Sequence, residues 1–232
     1  MVLYIALDDT DTEDSIGTGR LAREIAAEIT TEYPVTAVTR HQLFVHPDIP
    51  YTSHNSCAVI HLRDNGQDVR SRLMNRVGSL MRERFVEGSD PGLAVARTAD
   101  ITPAAVLFGF DAKQRVVTQE QARTIARNAG IPLEGLGGTE GGVIGALAGI
   151  ALAASGSDGR FLQVGSIREF AGSRTVESLH AAGIREVHST DGDLITEGFV
   201  EIQKFPQPVC IRGEPVLFVE RQGAQLRSVK RD

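Results

Sequence analysis

The sequence predicts a mixed α/β protein of the α+β kind, and three observations carry that prediction. A short apolar run, Val2 to Leu7, ends in a carboxylate cluster and is followed by an amphipathic stretch, the order strand, acidic turn, helix. Val143 to Ala154 is apolar almost all round, the pattern of a helix buried on every side. Beyond it the texture changes to short β-rich runs separated by turn residues.

The elements follow in order. Val2 to Leu7 is continuous rather than alternating, which suits a strand covered on both faces. Leu21, Ile25 and Ile29 recur every four residues beside Ala22 and Ala26, so 19–32 reads as a helix. Val35 to Val38 and Leu43 to Val45 form a second extended region, which Pro47 and Pro50 turn into a loop. Ala58 to Leu62 is the next strand. Val69, Leu73, Val77, Leu80 and Met81 carry a helical stripe flanked by Arg70, Arg72, Arg76, Arg82 and Arg84, and the interleaved Asp68, Glu83 and Glu87 mark a solvated face. Leu93 to Ala96 and Val106 to Phe108 are short strand candidates. Thr118 with Gln121 three residues on is a capping box, and Gly130 with Pro132 supplies the stop, so a helix spans 118–129. A glycine-dense segment, 135–142, feeds the buried helix. Strands are expected at Phe161 to Val164, Leu194-Ile195, Phe199 to Ile202, Val209 to Ile211 and Val216 to Val219, with a turn at Asp191-Gly192 and a helix near Thr175 to Ala182 closed by Gly183.

Composition narrows the function classes. The 232 residues carry 24 basic and 30 acidic side chains, a net charge of −6, which argues against a general nucleic-acid sponge. No apolar run approaches the roughly 18 residues of a membrane span, and the first residues lack a basic region and a cleavage pattern, so a cytoplasmic protein with no membrane partner is expected. The two cysteines, Cys57 and Cys210, are far apart and read as small buried residues rather than zinc ligands.

Chemistry concentrates near the start. Asp8, Asp9 and Asp11 fall at the C-terminal end of the first strand, where open α/β sheets bind ligands, and clustered carboxylates with phosphate oxygens are what Mg²⁺ prefers. An Asp-rich turn capping backbone amides is the alternative. Asp9-Thr10-Asp11-Thr12 fails the haloacid-dehalogenase phosphatase signature because Glu13 occupies its fifth position. Ser15 to Arg20, with Gly17, Thr18 and Gly19, opens the helix: glycines admit a ligand to the backbone and helix-start amides favour phosphate. The loop is not a Walker A sequence, and Thr18 also suits an N-cap. Gly137 to Gly142 suits phosphate, substrate or close helix packing, and Glu140 is a candidate carboxylate for a cationic amine. His41, His46, His54 and His61 show no helical i, i+4 spacing for zinc.

These residues carry a resemblance. Ile5 to Asp11 with its DDTD core, followed by Gly17-Thr18, resembles the N-terminus of the archaeal tRNA-isoleucine 2-agmatinylcytidine synthetases. His46 to Thr52 looks like that family's NPxIPYKT segment, Gly142 to Ile150 like its GLIGALAAIG, and Pro208-Val209 with Ile211 to Glu214 like its PVxxGIRGE. The family lysine of IPYKT falls at Ser53-His54 here, and its asparagine-rich segment reads Ser189 to Leu194. The resemblance implies a kinase-like α/β ATP and Mg domain, 1–102, followed by a ferredoxin-like α+β domain, 103–232, that contributes to the substrate site. It implies Asp8, Asp9, Asp11 and Thr18 as catalytic residues, the three aspartates as metal ligands, and transient phosphorylation of Thr18. Thr10, Gly17, Gly19 and Arg20 would bind ATP phosphates, and His46, Tyr51, Asn55, Ser56, Glu140, Gly141 and Gly142 the substrate. The family's oligonucleotide-binding barrel and zinc ribbon are expected to be lacking.

The expectation is therefore an Mg²⁺- and ATP-dependent, kinase- or ligase-like enzyme that activates a small molecule or nucleotide by phosphoryl-type transfer, with amine ligation as a second step. tRNA is expected only with a partner subunit. A split tRNA-modifying synthetase and a non-catalytic nucleotide or amine sensor are the alternatives, and apolar C-terminal strands suggest a homodimer.

Overall fold

A computed structural model describes residues 1–12, 17–49, 54–223 and 225–231. The chain divides into two compact units, Met1–Ser155 and Gly156–Asp232, so the break falls after the buried helix rather than at the expected 102/103. The first unit opens β1 (Val2–Asp8), α1 (Thr18–Ile29), β2 (Val35–Gln42), β3 (Ser56–Arg63), α2 (Arg70–Arg82), β4 (Gly92–Arg97). In its sheet β4 and β3 flank β1 and β2 lies outside β3, every pair antiparallel. This is the split βαββαβ arrangement. It occupies residues 2–97, whereas the sequence reading placed a ferredoxin-like domain after residue 102.

The chain then adds α3 (Pro103–Asp111), α4 (Gln119–Ala129), a short β5 (Leu133–Gly135) antiparallel to β4, and α5 (Val143–Ser155). These later helices explain the displaced boundary. Ala146, Leu147 and Ile150 of α5 share one core with Tyr4, Ala6, Val59, Ala94 and Ala96 of the sheet, and with Phe108 of α3 and Ala122 of α4. Strand alternation sends Leu3, Ile5 and Leu7 to the other face, where α1 and α2 pack. Helices on both faces make β1 apolar along its length, as its continuous pattern requires. Val106 to Phe108, expected as a strand, is the centre of α3: Thr102 caps it by accepting from the Ala105 N–H at 3.3 Å, and Pro103 sits in the first turn.

The second unit is β-rich. It contains β6 (Arg160–Val164), β7 (Gly172–Thr175), α6 (Val176–Ala181), β8 (Glu186–Ser189), β9 (Phe199–Ile202), β10 (Val209–Ile211), β11 (Glu214–Gln222) and β12 (Gln225–Val229). β11 pairs antiparallel with β10 and β12 and parallel with β8. Leu194 makes only an isolated bridge to His188. Among the described residues no helix is long and apolar enough to cross a membrane.

Candidate functional site

Strand alternation also places the carboxylates. Asp8 follows Ala6 on the face toward α5 and is buried at the end of β1. There α5 comes so close that a Cβ on Gly145 would lie 1.8 Å from Asp8 Oδ2. At Gly142 a Cβ would lie 2.5 Å from the Gly92 nitrogen and 2.6 Å from the Asp90 carbonyl oxygen. Packing alone therefore requires both glycines. Burial, and then the charge of Asp9, drives the Asp8 carboxyl well above its ordinary value. Asp9 is pushed up to about 6 by burial first, then by Asp90 and Asp11. Its backbone is left-handed, φ 50°, a conformation aspartate adopts more readily than most residues.

Beside this pair lies a hydroxyl relay. Gly17 enters α1 in extended conformation, with no side-chain cap, and its carbonyl accepts the Arg20 N–H at 2.8 Å. Thr18 is the first helical residue rather than the N-cap. Its Oγ1 donates to Asp11 Oδ1 at 2.7 Å and accepts from Thr10 Oγ1 at 3.0 Å. A hydroxyl hydrogen-bonded to a carboxylate is the arrangement that activates an alcohol as a nucleophile. Asp8, Asp9, Asp11 and Thr18 line a small cavity of about 40 Å³ with His54, Asn55 and Ser56.

A larger cleft, about 240 Å³, opens on the other side of Asp8 and Asp9. Asp90, Asn55, Gln119, Arg115, Thr139 and Gly141 supply its polar rim, and Leu43, Ile49 and Ile144 its apolar wall. Asp90 holds the rim together, accepting from the Thr139 N–H and from Thr139 Oγ1 at 2.7 Å. Asn55 is fixed by donating to the Phe44 carbonyl at 2.6 Å, and Ser56 accepts from Arg40 Nε at 2.9 Å.

The fold thus gathers Asp8, Asp9, Asp11, Thr10, Thr18, Asn55, Ser56 and Gly141. Other expected residues point elsewhere. Arg20 forms an exposed i, i+4 pair with Glu24, and His46 stacks on Phe44 and accepts the Asp48 N–H. Glu140 is paired with Arg123, and Gly142 is enclosed by backbone. Gly19 follows Thr18 on α1 and lines neither cavity. Tyr51 lies outside the described residues. Sequence reasoning missed Asp90, Thr139, Gln119 and Arg115; the one local signal was Asp90-Pro91 in the turn before β4.

Among the described residues no three Asp, Glu, His or Cys side chains are poised to hold a metal together. The oxygen donors still fit Mg²⁺, which is held by one or two carboxylates and completes its shell with phosphate oxygens and water. Asp8 and Asp9, both driven toward protonation by like charge and burial, are the pair a cation would relieve.

No family model matches the chain. It is similar to the Uncharacterized protein MJ0921 of Methanocaldococcus jannaschii, 28% identical over 151 residues that cover 65% of this chain and 50% of that relative. Among solved structures it is similar to a tRNA fluorescent labeling enzyme, at TM-score 0.56 and 24% identity, covering 65% of this chain and 36% of that one. It is also similar to TiaS, an agmatidine synthetase for an isoleucine tRNA, in complex with that tRNA and ATP, at TM-score 0.56 and 23% identity. The TiaS complex with the same tRNA, AMPCPP and agmatine gives 0.55 and 22%. The TiaS structures in both complexes are covered to 36% and this chain to 65%. The chain spans half the length of the curated relative and about a third of the solved chains, and over the matched part its fold is TiaS-like.

Proposed function

We propose that the chain is an ATP-dependent enzyme that transfers a phosphoryl-type group to a small-molecule or nucleotide substrate, after which an amine displaces the activated oxygen. The carrying observation is the Asp8–Asp9 pair, set between a cavity lined by Thr18 and Asp11 and a cleft of substrate size. In this reading Asp8 and Asp9 would hold magnesium, with Asp11 beside them on the Thr18 hydroxyl, and the metal would neutralise charge spread over the transferring group. Thr10, hydrogen-bonded to Thr18, and Gly17, beside Asp11, are the proposed phosphate contacts. Asp11 is positioned to take the Thr18 proton, which supports Thr18 as a transient phosphoryl acceptor. Three carboxylates on the larger cleft, Asp8, Asp9 and Asp90, suit a cationic amine. Tyr51, Asn55, Ser56 and Gly141 are the proposed substrate contacts, of which Asn55 and Gly141 line that cleft and Ser56 the smaller cavity.

The test is Mg²⁺-dependent ATP turnover by wild type and Asp9→Asn. A loss of about 100-fold or more is expected, the order that removal of one charge-stabilising group costs; equal activity would remove the metal assignment. Tight ATP binding without product across a broad acceptor screen would select the sensor instead. A second reading makes this chain one part of a tRNA-modifying assembly, favoured by structural neighbours whose complexes contain tRNA. Co-purified tRNA, or agmatine-dependent modification with a second subunit, would establish it.

A further inference from the structure

Five arginines flank the apolar stripe of α2, and acidic partners neutralise four of them. Arg70 pairs with Asp68 and Asp100, Arg76 with Glu32, Arg82 with Glu134 and Arg84 with Glu28. Arg72 has no acidic partner among the described residues. It lines a cavity of about 200 Å³ whose other arginine, Arg63 at the end of β3, also lacks one among the described residues. The two acids of this cavity are engaged by arginines that do not line it: Glu32 by Arg76 at 3.9 Å and Asp64 by Arg97 at 3.3 Å. The uncompensated charge is therefore two guanidiniums on one concave surface, beside the ring of Tyr33. Two like charges held together repel, and an anion between them turns that repulsion into attraction. Planar guanidinium forks match the oxygens of carboxylates and phosphates, and of the two a phosphate carries the greater charge and the extra oxygens to meet two guanidiniums at once.

We propose that this cavity binds a phosphorylated small molecule, its phosphate held by Arg63 and Arg72 and its carbon skeleton set against Tyr33. The volume suits a phosphate monoester of a few carbons. Leu3 lines the site and Asp8 lies at the other end of the same strand, ~17 Å away at the usual rise per residue. The site is thus separate from the acidic cleft and independent of the activity proposed for it.

The arginine Nε–Hε signals of the full chain report binding directly in a titration with inorganic phosphate and with glycerol 3-phosphate at fixed ionic strength. Saturable shifts of the Arg63 and Arg72 signals are expected. Arg63→Gln and Arg72→Gln should each weaken binding by about tenfold or more, about 1.4 kcal/mol. Arg127→Gln and Asp9→Asn should leave it unchanged. Both test positions are exposed, so the variants keep their fold, which their thermal melts check. No saturable shift, equal weakening by Arg127→Gln, or loss of binding in Asp9→Asn would each overturn the proposal. A short single-stranded RNA that displaces glycerol 3-phosphate at lower concentration would assign the phosphate to a nucleic-acid backbone and overturn the small-molecule site.

Discussion

A methyl group at position 145 has no room, because the carboxylate of Asp8 already occupies the place where it would sit. Gly145→Ala must push Asp8 aside or lift α5 from the sheet. It is expected to cost about 1–3 kcal/mol in urea denaturation, the usual range for overpacking, and to abolish whatever turnover Asp8 supports. Unchanged stability and activity would show that Asp8 is not pinned by the helix. The sequence displayed the glycines of this segment but could not choose between a ligand and a packing role, because Asp8 and Gly145 meet only through the fold. A different residue contributes to the acid dependence of stability. His61 packs edge-on to Tyr4, its Nε2 2.8 Å from Thr39 Oγ1, and burial, then the neighbouring His41, lowers it to about 3. The unfolded chain takes up this proton near pH 6.5 and the folded chain does not, so the contribution of His61 to stability is complete above pH 6.5 and falls away as pH drops toward 3. His61→Gln, which can still hydrogen-bond to Thr39, should flatten that part of the melting temperature against pH profile. An unaltered slope would place the acid sensitivity elsewhere.

Among the elements, those with a pattern along their own length were legible and those completed by distant neighbours were not. The capping box at Thr118 forms as expected: Thr118 Oγ1 accepts the Gln121 N–H at 3.3 Å, Gln121 Oε1 accepts the Thr118 N–H at 2.9 Å, and Gly130 closes α4 in a left-handed turn, φ 64°. Thr118→Ala should cost about 1 kcal/mol by chemical denaturation, and Thr118→Ser should restore most of it. An equal loss in both would mean that the methyl group matters rather than the hydroxyl. The α3 segment was harder to read. Its β-branched and aromatic residues favour a strand locally, yet Thr102-Pro103 starts a helix, and packing of Gly109 against α5, where a Cβ would lie 3.1 Å from the Ala151 Cβ, keeps it there. The acidic end of β1 was legible because strand and charge are adjacent in sequence. The opposite rim was not: Asp90 and Thr139 come from different loops and meet only where β4 and α5 converge.

For the molecule as a whole, the division at Ser155 has a consequence for the site. Every residue lining the acidic cleft and the Thr18 cavity lies between Asp8 and Gly145, inside the first unit. That unit has its own core, in which α5 covers one face of the sheet and α1 and α2 the other. The expected boundary at 102/103 would have separated Asp8 from Gly145 and from half of the cleft. Residues 1–155 alone are therefore expected to fold cooperatively and to bind an ATP analogue within about threefold of the full chain, a difference below about 1 kcal/mol. A piece ending at 102, which loses α5 and exposes Tyr4, Ala6, Val59, Ala94 and Ala96 to water, should not fold. Thermal melts and analogue titrations of the two pieces decide the matter. If residues 1–155 fold but do not bind the analogue, the second unit supplies part of the nucleotide site, and the assignment of phosphate binding to Thr10 and Gly17 must be revised.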